Sequence, residues 1–414
     1  MTMTAVQNPL EGRDVVCMGF NDWDGEEWTN QQHLMSRLAA KGSGVLFIES
    51  LGLRRPSLGS GRDLRRMGRR LRRGLGSPRQ RDGVTVLSPL VLPLHSHATV
   101  RSLNAWILRH RVGRIAQKLH FDRPILWAYV PQADALVDAL DPELVIYHCV
   151  DDIAAHDGVD APSFTAAERS FAPRADLIIA SAPALAERMA ALSDDVLYAP
   201  NVADTALFAT ALEPGAIDPQ LATLSEPRIV FVGAVASNKV DFELVMELAS
   251  ARRHWTFALI GPIGLGYPQT DVSALMAQPN VHLLGPRAHA DLPSVLRGAA
   301  VGVIPYRQSR LTASIFPMKV YEYLAAGLPV VATGVPALKQ VQEVLLVKGV
   351  DETVAALERV LAEDSANKRR ARSITAQAHS WDIRLAEIGA AVRPRLREKA
   401  VSVGAALGPQ RGAD

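Results

Sequence analysis

The stretch VGVIPYRQSRLTASIFPMKVYEYLAAGLPVVAT, residues 301–333, decides the fold. Its first five residues form a short apolar run that predicts a strand, and a polar loop over 306–314 follows. Phe316 and Pro317 open a helix, Gly327 and Pro329 close it, and a second apolar strand runs over 330–333. Proline suits a first helical turn, where its missing N–H is not needed, and glycine takes the left-handed position at a helix end. Two strands apolar throughout, with a helix between them, predict a parallel α/β unit, because strands covered on both faces need not alternate. Lys319 and Glu322 are three apart and share one helical face. With Arg307 they are the groups this unit offers to a ligand. A cation beside a carboxylate can hold a phosphate and a sugar hydroxyl, or the two can simply pair at the surface.

Working outward, the same plan repeats along the chain. With 414 residues, the protein is long enough for two domains of about 200 residues each. A hydrophobic content of 48% fits a folded α/β protein, and a formal charge of only +2 gives no nucleic-acid signal for the molecule as a whole. The two cysteines, Cys17 and Cys149, sit in apolar runs and read as reduced core residues. The first residues lack a basic region followed by a long apolar core, and no 18-residue apolar span occurs, so a cytoplasmic protein is expected.

The first domain opens with a strand over 14–18 that stops on Gly19, then the loop FNDWDGEE, a helix over 29–40 and a strand over 45–49. This is a βαβ opening without a GxGxxG, which argues against an oxidoreductase. Gly19 would let the loop approach a ligand closely. Asp22, Trp23 and Asp24 put acids and an indole at a strand's carboxyl end, where a Trp face can stack on a sugar and acids can bind its hydroxyls. The alternative is that Trp23 packs inward while the acids cap the helix. Further on, the strand over 144–147 runs into His148, Asp151 and Asp152. A base must take the proton from a hydroxyl that attacks an anomeric carbon, and Asp151 is the first candidate, with Asp152 and His148 behind it. The glycine-ended strand RIVFVG, ending at Gly233, leads to a flexible loop carrying Lys239, a phosphate-friendly arrangement.

Residues 54–81, opening on Arg54 and closing on Arg81, hold eleven arginines and one aspartate, with leucines and a methionine interleaved. Such a segment suits an anionic membrane surface or an anionic acceptor. A solvated loop is the plainer reading, and a nucleic-acid patch is disfavoured because no aromatic stacking pattern accompanies the arginines.

The run Pro317-Met-Lys319-Val-Tyr-Glu322-Tyr-Leu-Ala-Ala-Gly327, followed by Pro329-Val-Val, resembles the donor-binding half of two-domain GT-B glycosyltransferases. It is most similar to the broad group of glycosyltransferase family 4, and within it to bacterial polysaccharide transferases of the glucuronosyltransferase and teichuronic-acid types. The resemblance implies an α/β protein with two facing Rossmann-like domains and an interdomain cleft. An acceptor domain is expected over 1–204 and a nucleotide-sugar domain over 205–380, with a helix over 381–399 returning to the first domain and a disordered tail over 400–414. It implies a hexosyl- or uronosyltransferase that moves sugar from a nucleotide diphosphate sugar, expected to be a UDP-sugar, to a hydroxyl of a glycolipid, polysaccharide precursor or other acceptor. Glu322 would hold the ribose, Lys239 the diphosphate, and the backbone from Gly285 to Arg287 the nucleobase. Tyr306 and Arg307 would lie at the donor, with Lys319 and Arg307 on its phosphates. The pattern has a second Glu eight residues before Glu322, where this chain has Ser314, which weakens the expectation of retention and favours inversion. Metal independence, a monomer or homodimer and peripheral attachment to the inner membrane face are expected. The rival readings are a sugar-nucleotide epimerase on the same fold and a membrane-associated binding protein without catalysis.

Overall fold

The computed structural model describes residues 8–25, 28–52, 74, 76–92 and 97–407, with side chains as far as Lys399. Most of the arginine-rich segment, including Arg54, lies outside the described residues, as do residues 408–414. The chain divides into two compact units. One comprises the described residues up to Ala199 other than Trp28, together with those from Arg384 onward, and the other is built from Pro200–Ile383 with Trp28.

The first unit carries β1 (Val15–Met18), β2 (Val45–Ile48), β3 (Arg79–Arg81), β4 (Val84–Leu87), β5 (Ile125–Ala128), β6 (Leu144–Cys149), β7 (Leu177–Ala180) and β8 (Val196–Tyr198). They form one sheet in the order β3-β4-β2-β1-β5-β6-β7-β8. Every pairing is parallel except the hairpin of β3 with β4. Strands β1, β2, β4, β5, β6 and β7 are buried along their whole length, which is why their sequences are apolar runs, interrupted only by Thr85 in β4 and His148 in β6, rather than alternations. The helix Trp381–Leu407 joins this unit from Arg384 on. It buries Leu385, Ile388 and Val392, and Arg395 and Lys399 bond to the carbonyl and carboxylate of Asp176. Residues 400–407 belong to this helix, where a disordered tail is expected.

The second unit carries β9 (Arg228–Val232), β10 (Thr256–Ile260), β11 (Val281–Leu283), β12 (Val301–Pro305), β13 (Val330–Thr333) and β14 (Val344–Leu346), in the order β11-β10-β9-β12-β13-β14. All its pairings are parallel. In both sheets the order reverses beside the first strand, between β1 and β5 and between β9 and β12. Crossovers on either side of that point leave to opposite faces and open a crevice at the strands' carboxyl ends.

The expected strands over 301–305 and 330–333 are β12 and β13. The loop between β12 and the next helix differs from expectation, because Arg310–Ala313 forms a helical turn capped reciprocally by Ser309 and Thr312. The helix proper is Lys319–Ala325. Its closing glycine, Gly327, has φ +79°, and the N–H groups of Gly327 and Leu328 bond the carbonyls of Leu324 and Tyr323. Tyr323 anchors the helix to the sheet. Its ring covers Gly302 of β12, where a Cβ would sit 2.4 Å from Tyr323 Cδ2, and its hydroxyl accepts the N–H of Val232 in β9.

Candidate active site

At the reversal point of the second sheet, one turn before Tyr323 on the same helix, stands Lys319. Its Nζ donates to the hydroxyl of Tyr306 at 2.8 Å and lies 5.0 Å from the ring centre of Phe231 and 5.2 Å from that of Tyr306. Gly233, directly after β9, makes room for it: a Cβ there would stand 2.9 Å from Nζ. A cation is thus fixed between two aromatic rings against bare backbone at a strand end. Gly261 ends β10 in the same way, with φ +151° and its Cβ position 2.1 Å from the carbonyl oxygen of Gly233. Its N–H bonds to the carbonyl of Gly285, which follows β11. Gly285 has φ +73° and no heavy atom within 4 Å of its Cβ position, so its backbone is open to approach. Three neighbouring strands therefore end in glycine, forming a rim without side chains.

Two further cations reach the same rim through backbone pairing. Val240 bridges Tyr306, the N–H of Arg307 bonds the carbonyl of Lys239 at 2.8 Å, and the N–H of Asp241 bonds the carbonyl of Pro305. The loops after β9 and β12 are thereby joined, and Lys239 and Arg307 become neighbours although far apart in sequence. The Lys239 side chain makes no hydrogen bond or ion pair with the described residues. Arg307 has only a long contact of 3.9 Å to Asp241. Behind them, Thr333 Oγ1 donates to the carbonyl of Tyr306, and Gly334 lets β13 pass beneath it. Three cations around a glycine rim suit a polyanion such as a diphosphate. Glu322 is buried on the helix that carries Lys319, and Ser314 spends its hydroxyl on the carbonyl of Arg310.

The side chain of Arg287 is engaged within its own unit. Its Nε and Nη2 hold both oxygens of Asp218, Nη2 also bonds Gln220, and Nη1 bonds the carbonyls of Leu284 and Pro286. That guanidinium is committed to structure, which leaves only its backbone for a ligand. The hydrogen bond from Arg287 is the main cause holding the Asp218 carboxyl below its usual range. The unfolded carboxylate therefore binds protons first as pH falls. The pair's stabilisation is present above the unfolded pKa of about 3.9 and is lost as pH drops through the lower folded value. Arg287→Ala is expected to cost about 2–4 kcal/mol at neutral pH, and the gap from wild type should narrow towards about pH 3 in urea melts. A gap independent of pH would remove the ion pair as its cause.

In the first unit the corresponding expectations divide. Gly19 is required by packing, since its Cβ would meet Gln31 Oε1 and Phe47 Cζ at 2.5 Å. Trp23 does not offer a face to a ligand. It is 1% exposed, packs edge-on against Phe47, and its indole N–H bonds Asp82. Asp24 is exposed but ion-paired with Arg79 and Arg81, and the carbonyl of Asp22 accepts from Gln32. His148 is 3% exposed, stacked on Tyr129 and approached by the Trp127 indole N–H. Burial lowers its pKa to about 3, so it is a neutral core histidine out of an acceptor's reach. Asp152 is likewise buried, beside Arg188. Asp151 remains, its side chain 16% exposed, with Oδ2 2.9 Å from His156 Nε2. His156 is the residue that sequence reading missed. Its only sequence signal is a position one short turn beyond the acidic pair.

Cys17 and Cys149 are buried free thiols, and burial pushes Cys149 up to about 12. Among the described residues no group of three or more His, Cys, Asp or Glu is arranged to hold a metal ion, and no helix is long and apolar enough to cross a membrane.

Comparison with known proteins joins this geometry to a family. Residues 226–363 match the family described as glycosyl transferases group 1. TuaH of Bacillus subtilis (strain 168), named as a teichuronic acid biosynthesis glycosyltransferase, is 33% identical over 161 residues, which is 37% of this chain and 39% of TuaH. The chain thus matches about two fifths of that relative's length. Among solved structures, sucrose-phosphate synthase from Thermosynechococcus elongatus superposes with a TM-score of 0.68 at 16% identity, covering 93% of this chain and all of the other. Anabaena HepE in complex with UDP and glucose superposes with a TM-score of 0.60 at 15% identity, covering 92% and 99%. The reversed-order parallel sheets and these superpositions identify the fold as GT-B, and within it residues 226–363 are similar to the glycosyl transferases group 1 family.

Proposed function

We propose that the protein transfers a sugar from a UDP-sugar to a hydroxyl of a glycan or lipid-linked acceptor. The observation that carries this reading is Lys319, seated on Gly233 at the sheet's reversal point, with Lys239 and Arg307 on paired backbone beside it. As the anomeric carbon–oxygen bond breaks, negative charge builds on the departing diphosphate. Fixed cations lower that barrier more than they stabilise the bound donor. Glu322 accepts hydrogen bonds from the ribose hydroxyls. The acceptor oxygen forms the new bond to the anomeric carbon and its proton passes to Asp151, whose carboxylate His156 orients. Inversion is the outcome this reading favours, since Ser314 brings no carboxylate to the sugar. UDP as the nucleotide is supported by the UDP complex of HepE, and a polysaccharide precursor as acceptor by TuaH. Attachment at an anionic membrane face accords with such an acceptor, and the described charge arrangement calls for no metal to neutralise the diphosphate.

The test is thermal unfolding with UDP-, GDP-, ADP- and dTDP-sugars, in wild type and Glu322→Ala. A ligand that binds only the folded state at a hundredfold excess over Kd stabilises by about 2.7 kcal/mol. Selective protection by a UDP-sugar, lost in the variant, is expected. Protection equal in both would remove Glu322 from the site. Protection without UDP release in the presence of acceptors would favour a binding protein without catalysis.

A further inference from the structure

The bond between Lys319 Nζ and the Tyr306 hydroxyl, 2.8 Å long, can run in one direction only. An ammonium has three N–H groups and no lone pair, so the lysine donates and the phenolic oxygen accepts. The hydrogen of that hydroxyl is not used in the bond, and it cannot point back at the cation. Among the described residues the Tyr306 hydroxyl has no second hydrogen-bond partner.

The residue is nonetheless firmly built in. It is 6% exposed, and its ring meets that of Phe231 edge-on at 6.2 Å. Its backbone is held from three sides. Val240 bridges to it, Thr333 Oγ1 donates to its carbonyl, and Gly334 passes so close that a Cβ would stand 2.1 Å from that carbonyl oxygen. With the ring fixed, only rotation of the hydroxyl hydrogen is left to it. A nearly enclosed donor without an acceptor is costly, and it is retained where a ligand brings the acceptor.

The acceptor that fits is a phosphoryl oxygen. Lys319 Nζ and the Tyr306 hydroxyl are two donors 2.8 Å apart at the glycine end of β9, with Lys239 and Arg307 on the paired loops beside them. Donors that close suit two oxygens of one phosphoryl group. A sugar hydroxyl or a base carbonyl offers the pair a single acceptor atom and no charge to match the ammonium.

We infer that the Tyr306 hydroxyl donates directly to the sugar-linked phosphate of the donor and, with Lys319, stabilises the diphosphate as it leaves. This rests on the transfer reading above. When the bond between the anomeric carbon and the phosphate oxygen breaks, its electron pair stays on that oxygen, and the phenolic hydrogen bond strengthens with the charge. No proton changes hands, because a diphosphate oxygen holds a proton less tightly than a phenolate does. The hydroxyl acts as a fixed donor aimed at developing charge.

The experiment is a cycle of Tyr306→Phe, Lys319→Ala and the double variant, read by UDP affinity and by UDP release with acceptor present. Tyr306→Phe keeps the ring and removes only the hydroxyl. Free UDP carries the charge of the departed group, so its affinity reports the contact without turnover. Tyr306→Phe is expected to weaken UDP binding about tenfold and to lower kcat by about ten- to a hundredfold. UMP, which lacks the sugar-linked phosphate, is expected to bind as it does to wild type. In the Lys319→Ala background, losing the hydroxyl is expected to cost about threefold or more again in both readouts. No further loss there would overturn the inference, since the hydroxyl would then act only by seating the lysine. Equal weakening of UDP and UMP would overturn it as well, because the damage would be general. Loss of UDP affinity throughout the cycle, in a protein that releases no UDP from any UDP-sugar, would uphold the phosphate contact and overturn the transfer reading instead.

Discussion

Lys319→Ala is expected to reduce kcat for sugar transfer by about a hundred- to a thousandfold, with a smaller change in KM. The ammonium is held by the Tyr306 hydroxyl and two ring faces, and it sits over a glycine, so it need not reorganise as the diphosphate gains charge. In the proposed role, its interaction with the donor would strengthen mainly in the transition state, which places the loss in kcat. Lys319→Arg is not expected to restore the rate, because the space against Gly233 and between the rings fits a compact ammonium rather than a planar guanidinium. The assay is UDP release with acceptor present. A rate within a few-fold of wild type for Lys319→Ala would reduce the residue to a packing role and remove the main support for the transfer reaction.

The largest effect on stability is expected at a residue without a side chain. Gly261→Ala combines a φ of +151° with a Cβ 2.1 Å from the carbonyl oxygen of Gly233, so either β9 or β10 must move at its end. A cost of about 3–5 kcal/mol is expected in urea melts, together with loss of protection by UDP-sugars, since Gly233 is the residue on which Lys319 rests. Gly285→Ala is the control. It shares the positive φ but has open space around its Cβ position, and about 1 kcal/mol is expected from backbone conformation alone. Equal losses in the two variants would mean that the close approach of β10 to β9 does not govern this rim.

These two glycines show how far sequence reading carries. Both end mainly apolar runs, and the runs themselves were legible because a strand covered on both faces has few polar residues to interrupt it. The same logic marked β12 and β13, the helix between them and its glycine stop, and from these followed the parallel sheets. The placement of Gly233, Lys239, Arg307 and Lys319 around one rim was legible in part, because all follow strand ends or open a helix. Why each glycine is needed was not. Gly19 yields to Gln31 and Phe47, Gly233 to a lysine, Gly261 to a neighbouring strand and Gly285 to nothing among the described residues.

Sequence by itself thus determined the α/β class, much of the strand and helix punctuation and the burial of the two cysteines. Only the tertiary structure decided which polar groups are already spent. Arg287 is taken by Asp218, Trp23 is turned inward and tied to Asp82, His148 is enclosed beneath Tyr129, and Asp151 gains His156 as a partner. The physical reason is one of range. Strand and helix formation are governed by burial patterns and backbone preferences within a few residues. The charge state and availability of a side chain are set by partners that the fold brings from elsewhere in the chain.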